Sequence, residues 1–482
     1  MTGVGVALDA ATRGLSTALI EAEDLAFGTS RWSSKLIHGG LRYLAHGDVA
    51  VAWESATERS HLMGAIAPHL IRPLPHVMPA FDDTPARDRV LVRAGLRAAD
   101  LLRIAARTPR GALARPRSIG ADQVISLVPG VDATRLRGGT VHWDGQVVDD
   151  ARLVVSIART AAFYGARILT RTRALSVSGD GARVRDALTG ESYDIQARHV
   201  IVATGVWTGD LDPDTRILAS RGSHALLDPR ALGYPRAALT VPVPDERGRY
   251  VFALPTTDGP VIAGITDEPE PAPMPDVPTA PESDIAWILQ HLSSALSEPL
   301  TSDDVIGTYA GLRPLVAPPD GSESGDTADI SRRHLVTRTP DGAVVITGGK
   351  LTTYRRMAQD AVDALGIDER CITATTPLVG AQPYRTPAPA GVPPRLVRHY
   401  GSEAPRVAAW ADDDPSLLQP VAAGVPVLGV EVVHAVRAEG ALSLDDVLER
   451  RTRLSVTPQA LARARERIAE IARGADPDVE VA

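Results

Sequence analysis

The 482-residue chain has a single cysteine, Cys371. One thiol excludes an intrachain disulfide and any cysteine-built metal site, and no metal site is expected. No apolar run reaches the roughly 18 residues that a membrane-spanning helix needs, and no signal peptide is evident. These absences point to the cytosol, where a protein can still sit on a membrane face. An excess of positive charge is also missing. There are 51 Lys and Arg against 59 Asp and Glu, a net charge of −8. That disfavours a nucleic-acid partner, and an anionic ligand would need a local Arg/Lys cluster working against the overall charge. Internal repeats and low-complexity tracts are absent too.

Length and a hydrophobic content of 44% suit two or three domains around a large core. The chain is organised around residues 28–44, GTSRWSSKLIHGGLRYL. This run is too polar for a core helix and too apolar for a solvated loop. Its glycines let a backbone approach a large flat ligand, and its hydroxyls and N–H groups suit phosphates. Upstream, residues 3–14 have the apolar spacing of a helix and residues 15–21 read as a strand. Together they form the helix and second strand of a dinucleotide-binding βαβ unit. Glu21 lies 18 residues after Gly3, near the spacing of the acid that binds ribose hydroxyls. If Gly3 is the third glycine of G-x-G-x-x-G, the first strand and two glycines are missing. A longer native chain is therefore expected, with Met1 an internal start.

Further on, residues 45–66 read as a helix and 70–81 as an extended, proline-spaced segment. Residues 86–110 are helical and arginine-studded. They would lie on an anionic membrane surface or form a solvated cap. The lack of one clean apolar stripe favours the cap. Asp144-Gly145 signals a turn, Asp150 a helix start, and 199–205 a buried strand ending in small residues. Residues 212–317 alternate strands and loops around a helix at about 282–297. The polar run 318–329 reads as a loop, and 381–395 as a linker before a set of helices. Ser443 and Asp446 resemble a capping box.

The stretch 28–44 resembles the signature of FAD-dependent glycerol-3-phosphate dehydrogenases, a branch of the D-amino-acid oxidase superfamily. Gly348-Gly349-Lys350-Leu351-Thr352-Thr353-Tyr354-Arg355 is similar to that family's C-terminal flavin motif. Arg221-Gly222-Ser223-His224, Gly264-Ile265-Thr266-Asp267 and Ala310-Gly311-Leu312-Arg313-Pro314-Leu315 fall between them in the family's order. The family often has Gly-Thr-Thr-Asp where Ile265 stands. The resemblance implies an α/β fold: a discontinuous Rossmann-like FAD-binding domain (1–67, 141–211 and 325–380) and an inserted α+β substrate domain (68–140 and 212–324). The linker and a small helical C-terminal domain (396–482) complete the chain.

FAD is the implied cofactor. Its pyrophosphate would sit at the helix starting near Gly3, with Glu21 on the adenosine ribose. Gly28, Thr29, Ser30, Ser33 and Ser34 would approach pyrophosphate and ring, and His38, Gly39 and Gly40 would line the isoalloxazine. Gly205 and Trp207 come from the second flavin strand. Gly349, Lys350, Leu351 and Thr352 open the last helix, whose dipole would stabilise a reduced flavin. The resemblance assigns Arg313 and Arg332 to a substrate phosphate, where forked donors match phosphate oxygens. Arg42, Tyr43, His224 and Lys350 would surround the reacting carbinol. His224 is the candidate base, since a histidine titrates near neutrality, while Arg42, Arg313 and Lys350 stabilise charge. The implied activity is oxidation of sn-glycerol 3-phosphate to dihydroxyacetone phosphate. Electrons would pass to a membrane quinone from a peripheral seat on the inner face of the cytoplasmic membrane, and a homodimer is left open. The rivals are an oxidase of the same fold using dioxygen or an amine, and a flavin-free paralogue acting only as a binding protein.

Overall fold

The computed structural model describes residues 1–40, 47–109, 111–244, 246, 248–317 and 333–481. Helix α1 (Thr2–Thr12) leads to β1 (Ala18–Ile20) and, past a single 3-10 turn at Thr29–Arg31, to β2 (Leu36–Ile37). Helix α2 (Val49–His61) ends in a wide turn at Leu62–Ile66 and enters β3 (Ile71–Phe81). Next come α3 (Ala86–Ala105), β4 (Arg117–Ile119), α4 (Ala121–Leu127) and β5 (Leu136–Val147). Helix α5 (Asp150–Phe163) returns to β6 (Arg167–Leu169) and a three-stranded unit, β7 (Thr172–Ser178), β8 (Gly181–Asp186) and β9 (Ser192–Gln196). After β10 (Ile201–Val202) the chain makes β11 (Ile217–Leu227), β12 (Ala238–Pro242), β13 (Tyr250–Pro255), β14 (Val261–Gly264) and β15 (Glu268–Glu270). Helix α6 (Glu282–Ser293), β16 (Val305–Val316), β17 (His334–Arg338), β18 (Val344–Gly348) and α7 (Tyr354–Asp363) complete the body. The C-terminal part holds α8 (Pro394–Tyr400), a hairpin of β19 (Pro420–Ala422) and β20 (Val425–Leu428), α9 (Gly429–Glu439) and α10 (Pro458–Ala475).

Strands β1 and β6 pair in parallel, as do β10 and β18, with β17 added antiparallel to β18. These are separate fragments. The head of α1 lies between them: a Cβ on Gly3 would meet Leu19 on one side and Ala203 on the other. Helix α1 is buried between α5, against Val154 and Ala158, and α7, against Met357, Ala358 and Ala361. Gly5 permits the α7 contact, because a Cβ there would lie 2.9 Å from the Tyr354 ring.

The large sheet runs β15–β11–β14–β13–β12–β3–β5–β2, with β16 also on β11 and β4 also on β5. Side chains alternate between its faces. Val77, Val141, Ala225, Leu239, Ala253 and Ala263 all fall on one face and pack with Val124 of α4 and Ile288 and Leu292 of α6. The other face looks into the cleft described below.

Several sequence expectations change. Asp144-Gly145 is no turn, since β5 runs straight through it. Gly145 is there because the chains are close: a Cβ would sit 2.9 Å from the Ile37 carbonyl oxygen and 3.0 Å from the Ile71 side chain. Asp149, not Asp150, caps α5, accepting from the Ala151 and Arg152 amides. The strand expected over 15–21 is three residues long. Ser443 and Asp446 do cap each other reciprocally. The expected loop at 318–329 lies outside the described residues.

The C-terminal helices are bound to the body by buried ion pairs. Asp24 accepts from Arg450 Nε and Arg451 NH1 at 2.8 Å each and from Arg451 NH2 at 3.0 Å. Arg31 meets Glu449 at 2.7 Å, and Arg152 pairs with Glu439. Arg31 is also stacked near Trp32, 4.4 Å from its ring centre, so the C-terminal part clamps the polar stretch itself.

Candidate active site

A cleft of about 3180 Å³ runs between the parallel fragments and the exposed face of the large sheet. Gly3 at the head of α1, Glu21 at the end of β1, and Lys350, Leu351 and Thr352 before α7 all line it. Two helix starts therefore open onto the cleft from different directions, a geometry that suits an extended anionic ligand. Glu21 is raised by burial, and its Oε1 accepts from the Glu23 amide.

Gly28 and Trp207 bring the stretch 28–44 and the segment after β10 together, since a Cβ on Gly28 would sit 2.8 Å from the Trp207 ring. Gly205 and Gly349 adopt left-handed backbone, at φ 63° and 71°. With Thr29, Ser30 and His38 they stand on the cleft wall. The hydroxyls are less available than their residue types suggest. Thr29 donates to the Leu312 carbonyl, and Ser30 accepts from the Met1 amine. Ser33 gives both N–H and O–H to Asp150, which also pairs with Lys35 at 2.6 Å. Gly39 and Gly40 do not border the cleft. Gly39 donates to Asp144, and a Cβ there would collide with the Arg59 guanidinium that pairs with the same carboxylate.

His224 is fully buried and stands behind the cleft wall. Its Nε2 is 2.8 Å from Ser34 Oγ, and its ring stacks on Tyr309 at 4.5 Å. Gly264 makes room for the ring, because a Cβ would lie 2.7 Å from His224 Cδ2. Burial, then Arg313 and Lys35, push this imidazole down to about 3. His224 is set back from the cleft, and Ser34, its hydrogen-bond partner, lines it. Arg313 lines it too, held by Ser220 Oγ at 3.0 Å, Asp267 at 3.1 Å and the Thr266 carbonyl at 3.1 Å. Gly222 leaves the space its guanidinium fills. Lys350 reaches Ser55 of α2. The candidates Arg42, Tyr43 and Arg332 lie outside the described residues.

Sequence reasoning missed the Arg59–Asp144 pair and the stacked histidines His76 and His142, 5.1 Å apart. Both partnerships cross from one distant segment to another, so no local pattern announces them.

Four buried histidines give a pH prediction. Burial pushes His69, His76 and His224 down to about 3 and His142 to about 4. The unfolded chain keeps the ordinary value near 6.5 and binds the extra protons. Stability is therefore fully present above about pH 6.5 and is lost as pH falls toward 4 and 3, each histidine removing about 2 kcal/mol by pH 5. The urea midpoint should hold between pH 8 and 7 and fall clearly by pH 5. A midpoint unchanged at pH 5 would contradict the buried-neutral assignment.

The described residues hold no cluster of metal ligands, and none of their helices is long and apolar enough to cross a membrane. The family model described as FAD dependent oxidoreductase matches residues 1–364, and that described as the C-terminal domain of alpha-glycerophosphate oxidase matches 371–475. Glycerol-3-phosphate dehydrogenase 1 of Mycobacterium bovis is 47% identical over 481 residues, covering 98% of this chain and 92% of that protein. The mitochondrial glycerol-3-phosphate dehydrogenase SDP6 of Arabidopsis thaliana is 35% identical over 530 residues, covering 98% and 80%. The structure of the Bacillus halodurans glycerol-3-phosphate dehydrogenase complexed with FAD matches at a TM-score of 0.74 and 26% identity, covering 98% of this chain and 88% of that one.

Proposed function

Because this chain belongs to the FAD-dependent glycerol-3-phosphate dehydrogenases of the D-amino-acid oxidase superfamily, we propose that it oxidises sn-glycerol 3-phosphate to dihydroxyacetone phosphate in the cleft and passes the electrons to a membrane quinone. The observation that carries the reading is that Arg313, Lys350 and Ser34, the hydrogen-bond partner of His224, all line this cleft. Two cations in a chain of net charge −8 suit a phosphate and oppose an amine.

The chain's residues also fit the cofactor. The α1 head would hold the pyrophosphate, Glu21 the ribose, and Gly205, Trp207, Gly349, Leu351 and Thr352 the ring system. Bound FAD supplies the hydride acceptor and stores two electrons. Arg313, fixed by Asp267 and the Thr266 carbonyl, orients the phosphate. Arg332 is its proposed companion, and Arg42 and Tyr43 are the residues the family resemblance assigns to the reacting carbinol. Ser34 Oγ accepts the substrate hydroxyl proton as its own proton passes to His224 Nε2. His224 is neutral across the physiological range, so the acceptor tautomer needs no prior deprotonation. Lys350 and the α7 start face the negative charge left by hydride transfer.

A peripheral seat on the inner membrane face fits α3. Its surface away from the cleft carries Val90, Leu101 and Ile104, all exposed, beside Arg97. The test is a turnover assay with glycerol 3-phosphate and menadione. Dihydroxyacetone phosphate should accumulate with menadione reduced in equal amount and little peroxide. Peroxide in equal amount to product, unaffected by menadione, would make the protein an oxidase.

A further inference from the structure

The cleft face of the large sheet carries a second polar group that substrate oxidation does not use. Residues paired across strands share a face. His224 pairs with Gly264, Gly264 with Phe252, and Phe252 with Thr240. Two residues from Thr240, Ala238 pairs with His76, which pairs with His142, and Met78 pairs with Thr140. Thr240, His76, His142 and Thr140 therefore face the same cleft as the Ser34–His224 pair, and all four line it. His76 lies four strands from His224, up to roughly 19 Å along the sheet at ordinary strand spacing.

His76 and Thr240 are buried, His142 and Thr140 half-buried, and all four carry an unsatisfied polar atom. His76 and Thr240 are each 3% exposed. His76 Nε2, His142 Nδ1, Thr140 Oγ1 and Thr240 Oγ1 have no hydrogen-bond partner among the described residues. Four orphaned polar atoms on one wall are more than a folded interior usually tolerates. Their chemistry narrows the ligand. The imidazoles are neutral at physiological pH, because burial outweighs the pull of nearby Asp144 on both rings. The Arg59 guanidinium is spent on Asp144. A wall of neutral hydrogen-bonding groups supplies no charge to hold a phosphate and suits an uncharged compound with carbonyl oxygens.

Beyond Thr140 the wall turns apolar. Met78, Ala80 and Gly138 continue the same face, and the cleft goes on to Leu91 and Arg87 of α3. We propose that His76, His142, Thr140 and Thr240 form the seat of the electron acceptor's head group, an uncharged quinone whose carbonyls take the hydrogen bonds these side chains offer, with its alkyl tail leaving past Met78 and Ala80 toward α3. This rests on the reading that electrons leave to a quinone. The exchange balances without a further reactant. The quinone takes two electrons and two protons from the reduced flavin, its two carbonyls become hydroxyls, and the flavin is left oxidised.

The test is a calorimetric titration of the oxidised holoenzyme with menadione. Thr140→Val/Thr240→Val keeps shape and removes two hydroxyl donors, and the dissociation constant should rise about tenfold, as two ordinary hydrogen bonds predict. His142→Phe, which preserves the ring stack on His76, should raise it as well and covers the case in which the threonine variant folds poorly. Constants within twofold of wild type in both variants, or a wild type that takes up no menadione, would overturn the proposal. No substrate enters this titration, so its outcome is separate from whether glycerol 3-phosphate is the reductant.

Discussion

Replacing Asp24 by alanine is expected to lower the unfolding free energy by about 3–5 kcal/mol. The carboxylate is 1% exposed and serves two guanidiniums at once, those of Arg450 and Arg451. Arg450 would keep Asp446 and Glu449. Arg451 would keep only the Glu439 carbonyl at 2.9 Å, a neutral partner for a buried charge. Burial alone would lower the Arg451 guanidinium, yet Asp24 holds it above its ordinary value, so the pair is tightly coupled. The cost arises from the charge left behind, not from the net worth of the pair. Replacing Asp24 and Arg451 together, by asparagine and methionine, should recover part of the loss. A chemical-denaturation midpoint for Asp24→Ala within 1 kcal/mol of wild type would remove the C-terminal helices from the account of how the flavin stretch is held.

The second large effect concerns the proton. His224→Phe should slow flavin reduction by roughly 10² to 10⁴-fold, the range for loss of a proton-transfer group. The phenyl ring can keep the stack on Tyr309, and His224 does not border the cleft, so FAD content and the half-saturating concentration of glycerol 3-phosphate should move little. Ser34→Ala should slow the step similarly, because the two act as one path. The double variant should then lose little more than either alone. Fully additive losses, or a His224→Phe rate within threefold of wild type, would show that the proton leaves by another route.

Much of the fold was legible because its signals are local. Apolar periodicity marked α1, the runs 45–66 and 282–297 became α2 and α6, and the proline-spaced run 70–81 became β3. The motif order located the cleft-lining residues Gly28, Trp207, Arg313 and Lys350. What failed to show in the sequence depends on distance. Gly145 looks like a turn residue until the Ile37 backbone is laid against it. Asp149 and Asp150 are equivalent on paper, and only Lys35 and Ser33, more than a hundred residues away, claim Asp150 and leave Asp149 as the cap. His224 is the candidate base by residue type and by its place in Arg-Gly-Ser-His. Its place behind Ser34 follows from a contact across 190 positions. The His76–His142 pair had no signal at all, since each histidine alone resembles an ordinary core residue.

The central claim is that glycerol 3-phosphate reduces a flavin held in this cleft. The most direct test is the visible spectrum of the purified holoenzyme, recorded anaerobically before and after glycerol 3-phosphate is added, with glycerol as the control. The account predicts that the flavin band bleaches with glycerol 3-phosphate and persists with glycerol, which lacks the phosphate that Arg313 is proposed to orient. A band that persists with both, in a protein carrying its full complement of FAD, would contradict it.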